Sequence, residues 1–254
     1  IKDAGITPVY EATQNGWHQV LPLFETGPMY ENKYDDLYKK LNNNEMNIAE
    51  IEELELIITQ LQEFADLGFY GTDFLSNSIE GDREAFANGE VAMSLQGIGW
   101  PAEVESQYPE TKDNIGIFVM PWADNQVLGI NPASNAYFAN SKSKYKEEVL
   151  KFFEFLARPE NLKKRLEGQP DQLELCWPEI PSRYPKEYSE YLDNLEKGTV
   201  MQAAVSYVDT QWMEVGKDLE DMYAGGMTPK EVVQSIANRR DEQAKLQKDP
   251  AWNK

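Results

Sequence analysis

The sequence predicts an α/β fold, and three observations carry that expectation. Apolar runs of strand length recur along the chain, amphipathic helices with recognisable caps separate them, and the composition supports a packed core. Of 254 residues, 41% are hydrophobic and 11% aromatic, with 16 Gly and 14 Pro, a globular composition rather than a disordered one. The length is that of one or two domains.

Asn47, with Glu50 three residues on, reads as a capping box. Ile48, Ile51, Leu54, Ile58, Leu61 and Ala65 then recur at helical spacing up to Gly68, a helix of about five turns. A shorter helix over 81–88 presents Ala85 and Phe86 and stops at Gly89. Residues 91–95 then read as a buried strand, 115–120 as a second ending at Pro121, and 136–139 as a third. Ser143 can cap a helix carrying Val149, Phe152, Phe153 and Leu156, which breaks at Arg158-Pro159 and restarts through Leu162 and Leu166 to Gly168. Four prolines make 169–185 a long connection. Helices follow over 186–197 and 209–224. The last begins at Thr228, with Pro229 in its first turn and Glu231 completing a second box.

Charge prunes the function classes. With 24 basic and 44 acidic residues the net charge is −20, which repels polyanions, so neither nucleic acid nor an anionic membrane surface is an expected partner. No apolar run reaches the roughly 18 residues that span a bilayer. A single cysteine, Cys176, and a single histidine, His18, exclude an intrachain disulfide and a Cys/His zinc site; no metal or cofactor is expected. Cys176 reads as a small buried hydrophobe. No signature surrounds it or His18 that would make the pair a nucleophile and its base.

The tryptophans are more informative. Trp17, Trp100 and Trp212 stand in the polar or glycine-containing stretches Asn15-Gly16-Trp17-His18, Gln96-Gly97-Ile98-Gly99-Trp100 and Asp209-Thr210-Gln211-Trp212. A flat indole offers its face to the C–H face of a pyranose, while neighbouring Asn, Gln and Asp groups hydrogen-bond the hydroxyls. Each of these tryptophans could instead pack between helices, the role read for Trp122 and Trp177.

Phe86, Gly89, Ala92-Met93 and Gly97-Ile98-Gly99-Trp100 resemble a signature of the family 1 extracellular solute-binding proteins, the maltose-binding-protein-like sugar receptors of ABC importers. Gly5-Ile6-Thr7-Pro8 ahead of Trp17, Ile115-Gly116 through Met120-Pro121, the helix from Lys146 to Pro159, and Gly225 through Val232 resemble further family blocks in the family's order. The resemblance implies a periplasmic-binding-protein-like fold of type II, with two α/β lobes closing on a ligand. Residues 1–130 would form the main part of the C-terminal lobe, 131–184 the hinge crossing and a returning segment of the N-terminal lobe, and 185–254 further helices of the C-terminal lobe. It also implies that Trp17, Trp100 and Trp212 line the cleft, with Asn15, Gln96, Gly99 and Asp209 beside them. The chain opens at Ile1 without a leader, and the family's preceding stretch, most of one lobe, is expected to be missing. Phe152, Phe153 and Leu156 would pack on that stretch. Asn131 and Ser134, in Asn131-Pro132-Ala133-Ser134-Asn135, would supply hinge and polar contacts, or an ordinary turn.

The implied function is capture without chemistry. A mono- or oligosaccharide is held by stacking and lobe closure and delivered to the membrane permease subunits of an ABC importer by a monomeric protein, extracellular or periplasmic and lipid-anchored. A glycoside hydrolase using paired carboxylates and a receptor for a peptide or polyamine are the alternatives. For the hydrolase, Asp209 has no identifiable partner.

Overall fold

The computed structural model describes residues 1–132, 136–175 and 177–253. Cys176 and Ser134 lie outside the described residues. In chain order the elements are β1 (Thr7–Tyr10), α1 (Leu21–Phe24), α2 (Gly27–Lys33), α3 (Leu37–Asn42), α4 (Glu52–Asp66), α5 (Asp82–Ala87) and β2 (Val91–Ser94). Then come α6 (Trp100–Gln107), β3 (Val127–Ile130), α7 (Lys146–Leu156), α8 (Pro159–Gly168), α9 (Lys186–Asp193) and β4 (Glu196–Thr199). The chain closes with α10 (Met201–Ala204), α11 (Trp212–Tyr223) and α12 (Pro229–Leu246). The mixed helix and strand content is the α/β class expected. The chain divides into two compact units, the first Ile1–Leu95, Phe118–Pro132 and Leu195–Lys254, the second Gln96–Ile117 and Ala133–Asn194.

The first unit is built on a helical core. Leu54, Ile57, Ile58 and Leu61 of α4 are fully buried together with Val215 and Leu219 of α11 and Val232 and Ile236 of α12. Both capping boxes form. The Asn47 side chain accepts from the Ala49 N–H at 2.9 Å and Glu50 accepts from the Asn47 N–H at 2.6 Å. The Thr228 hydroxyl accepts from the Glu231 N–H at 3.3 Å, and Glu231 accepts from the Thr228 N–H at 2.8 Å. The first box opens a single 3₁₀ turn, because Ile51 leaves helical geometry at φ −82°, ψ 99° before α4 begins. Gly68 ends the helical segment at φ +65°, where a side chain would be strained.

Two parallel strand pairs complete this unit. β1 pairs with β2 (Thr7 opposite Val91, Val9 opposite Met93), and β3 pairs with β4 (Val127 opposite Glu196, Ile130 opposite Thr199). Strand 91–95 is thus present over 91–94, although only Val91 on it is buried. The strands expected at 115–120 and 136–139 are absent. An apolar run becomes a strand only where a second strand takes its backbone groups. Here the Tyr188 hydroxyl donates to the Ile115 carbonyl and the Asn125 amide to the Met120 carbonyl, both at 2.9 Å, leaving Phe118 exposed. Tyr137 and Phe138 are exposed as well. The helix expected over 186–197 stops at Asp193, since Glu196–Thr199 is claimed by β3.

The second unit has a smaller core, with Leu162 and Leu166 of α8 packed around Ile180 and Leu175. Pro159 starts α8 as the sequence suggests. The Ser143 hydroxyl accepts from the Tyr145 N–H at 3.1 Å, one turn ahead of α7, whose N-cap is Tyr145. No residue of α7 is buried, and Leu150, Phe152 and Phe155 are exposed. Segment 169–185 contains no helix or strand among its described residues, and the Arg183 guanidinium donates to the Leu166 carbonyl at the end of α8.

Truncating Ile58 tests the helical core. Ile58→Ala should destabilise the intact protein by about 2–5 kcal/mol in urea unfolding, whereas Leu56→Ala, on the solvent side of the same helix, should stay within about 0.5 kcal/mol. Equal losses would contradict this burial pattern.

Candidate functional site

In the first unit a tight turn carries Asn15 and Trp17. The Gly16 N–H donates to the Thr13 carbonyl at 2.8 Å and Gly16 adopts φ +74°, so a residue with a Cβ would be strained there. The Asn15 side chain accepts from the Ile79 N–H at 2.8 Å, tying the turn to the segment before α5. On its other side the turn rests on α11. A Cβ at Gly216 would overlap the Gly16 carbonyl oxygen, so glycine is what permits the two backbones to meet. The buried Gln19 amide donates to the Gly216 carbonyl and to the Glu220 carboxylate, each at 3.2 Å. Trp17 is left 38% exposed, edge-on to the buried His18 ring with centroids 5.6 Å apart.

Trp212 opens α11, the helix that meets that turn, and Asp209 precedes it by three residues. The helical phase splits the aromatic from its neighbour. Trp212 lies on the side of Val215, Gly216 and Leu219 and packs inward, edge-on to Phe24 at 5.6 Å. Met213, about 100° further round the helix, is 51% exposed, and its methyl lies against Gly16. Asp209 is exposed and accepts from the Gln202 amide at 2.9 Å. Helical phase alone could have pointed to Met213; Gln202 carries no local signal.

The loop leading into α11 is fixed from several directions. Tyr207 sits at φ +68°, and its hydroxyl donates to Asp249 at 2.7 Å. The buried Arg240 guanidinium donates to the carbonyls of Ser206 at 3.0 Å and Leu41 at 2.8 Å and lies over the Trp252 ring at 5.0 Å. Burial pulls the Arg240 pKa down, but arginine keeps its charge through any accessible pH. Arg239 donates to Gln211 at 3.1 Å and pairs with Asp218 at 2.5 Å. Asn42 donates to the Ala204 carbonyl at 2.9 Å and accepts from the Ser206 N–H at 2.8 Å.

Gln96, Gly99 and Trp100 belong to the second unit. Gly99 approaches the Asp171 carbonyl so closely that no Cβ would fit, and Trp100, the first residue of α6, is only 7% exposed. Gln96 is half-buried, and so is Asn131, which directly follows β3 in the first unit. Ser134 is outside the described residues. Trp122 packs against Phe64 at 4.7 Å, whereas Trp177, read from sequence as a packing residue, is 42% exposed. Among the described residues no cluster of three or more His, Cys, Asp and Glu is placed to hold a metal ion, and no helix is long and apolar enough to cross a membrane.

Residues 2–163 match the family model for the bacterial extracellular solute-binding proteins. No curated protein matches the chain. Among solved structures the chain is similar to one described as a binding protein, MsmE, from Bacillus subtilis in an open conformation (17% identity, 96% of this chain and 62% of that one, TM-score 0.62). It is also similar to a sugar transporter protein from Bacillus licheniformis in complex with stachyose (16% identity, 93% and 61%, TM-score 0.63). A chitin oligosaccharide binding protein matches at 14% identity, 95% and 61% coverage and a TM-score of 0.72. At these identities the likeness is one of fold, and the chain spans about three-fifths of the length of each structure.

The turn and α11 depend on each other through Gly216. Gly216→Ala should destabilise the intact protein by about 1–3 kcal/mol and shift the tryptophan emission, as overpacking forces the turn off the helix. Unchanged stability and emission would show that the contact is not closed in solution.

Proposed function

The chain belongs to the family of bacterial extracellular solute-binding proteins, and from that premise we propose that it takes part in capturing a mono- or oligosaccharide for an ABC importer, without chemistry. The observation that carries the reading is Trp17, an indole held partly in solvent on a backbone turn locked to α11, with the half-exposed Met213 against the turn. Such a surface suits the C–H face of a sugar ring. Asn15 supplies a polar group in the same turn, and the Asp209–Gln202 pair, just ahead of α11, is a further candidate polar contact. Two of the similar folds are of proteins whose names or bound molecules are carbohydrates, stachyose in one and chitin oligosaccharide in the other.

In this reading residues 1–130 are the main part of the C-terminal lobe, 131–184 cross the hinge and return to the N-terminal lobe, and 185–254 add helices to the C-terminal lobe. Of Phe152, Phe153 and Leu156, which would face the remainder of the N-terminal lobe, Phe152 is exposed and the other two are half-buried, and Leu150 and Phe155 of the same helix are exposed as well. Gln96, Gly99, Trp100, Asn131 and Ser134 are further candidate contacts, with Trp212 supporting the site from within the core. Ligand closes the lobes by binding the closed form better than the open one, and membrane permease subunits then read the closed form. The receptor is monomeric, extracellular or periplasmic, and lipid-anchored.

Titration calorimetry on the intact protein with a saccharide panel that includes stachyose and chitin oligosaccharides checks this. At least one glycan should bind, and Trp17→Ala should weaken it by about 2 kcal/mol. Absence of heat for every glycan overturns carbohydrate capture, and release of shortened glycans would return the glycoside hydrolase in its place.

A further inference from the structure

The chain's single histidine lies inside the first unit with no exposed surface, directly behind the candidate sugar contact. Both of its ring nitrogens face acceptors. Nε2 lies 2.6 Å from the Leu95 carbonyl oxygen, and Nδ1 lies 3.5 Å from Glu11 Oε1, an ion-pair separation rather than an aligned hydrogen bond. Glu11 is itself buried. A carbonyl and an ionised carboxylate can only accept, and a neutral imidazole carries one N–H, so only the imidazolium serves both neighbours. Leu95 is also the residue after which the chain leaves this unit. The ring therefore links the segment after β1, the end of the β2 segment, and the Trp17 indole that leans on its edge.

We propose that His18 is a positioning residue for Trp17, a buried imidazolium that holds the indole through its links to Glu11 and Leu95 and thereby makes glycan affinity depend on pH. The proposal rests on the reading of Trp17 as a ligand contact. Its electrostatic surroundings favour the charged form. Burial pushes the imidazole pKa down, but the Glu11 carboxylate, the Leu95 carbonyl and the more distant Asp82 together push it up further, so the group titrates above its ordinary value of about 6.5. Asp82, at the start of α5, is paired with Arg83 at 2.9 Å. From α11, the Glu220 carboxylate is occupied by Gln19. The Tyr70 and Tyr223 phenols, held well above their usual range first by burial, stay neutral beside Glu11. A group whose pKa is raised on folding stabilises the fold below its unfolded value and loses that contribution as pH rises through the raised one. On deprotonation the short Nε2 contact keeps the remaining N–H on the Leu95 carbonyl, the Glu11 carboxylate loses its ion-pair partner, and the Trp17 anchor loosens.

The test uses the intact protein and two ligand-free measurements before any glycan is added. The imidazole resonance that disappears in His18→Gln should titrate above about pH 6.5. The emission assigned to Trp17, taken as wild type minus Trp17→Phe, should change with the same midpoint. Glu11→Gln, which keeps the shape of the side chain and removes the charge, should move both midpoints down together. With stachyose or a chitin oligosaccharide as probe, affinity should fall by about threefold or more between about pH 6 and about pH 8.5 in the wild type, and stay nearly flat in His18→Gln. Trp17 emission that ignores the His18 titration overturns the inference whatever binds. Emission that follows it, with no glycan bound at any pH, upholds the positioning role and overturns the carbohydrate reading instead.

Discussion

Two glycines meeting without side chains between them set the geometry of the first unit's rim. Because Gly216 has no Cβ, the backbone of α11 can receive the carbonyl of Gly16. The turn is then held at both ends, by Gln19 bonding to the helix and by Asn15 bonding to the segment before α5. Trp17 is turned toward solvent and His18 into the core, where the imidazole meets Glu11 and Leu95.

Around this contact, exposed apolar surface is supported by buried polar clamps. An indole in water is worth having only if it stays where a ligand will find it, since ordering it on binding costs affinity. The entry to α11 is accordingly pinned by side chains that satisfy otherwise orphaned backbone groups: Arg240 on Ser206 and Leu41, and Asn42 on Ala204 and Ser206. Arg239 adds the Asp218 pair from α12. These bonds also hold Tyr207 in its positive-φ conformation, which an L-residue rarely adopts unaided. A surface dominated by carboxylates suits this arrangement, because neutral ligands are unaffected by a field that keeps polyanions away.

The longer helices with caps or prolines at their starts were the legible part of the fold, whereas α1, α2, α3, α6 and α10 were not anticipated. Asn47 with Glu50 and Thr228 with Glu231 form the boxes that their spacing announces, and Pro159 marks the restart of α8. Strands were not. The polar Glu196–Thr199 is a strand and the apolar 115–120 is not, since pairing is decided by a partner far along the chain. The aromatic stretches were legible as special places but not in their orientation. Trp17 faces solvent, Trp212 turns inward, and Met213 takes the exposed position beside the turn.

By itself the sequence determined what depends on neighbours within a turn or two, the capping boxes and the helix restart at Pro159, together with the sign of the charge and the family, which the match over residues 2–163 bears out. Those properties rest on local hydrogen bonds and on residue identity. Only the tertiary structure decided which strands pair, which tryptophans remain in water, and that His18 stands between a carboxylate and a carbonyl. Each of these joins groups distant in sequence, such as Gly16 with Gly216 and His18 with Leu95, and no periodicity along the chain encodes such a meeting.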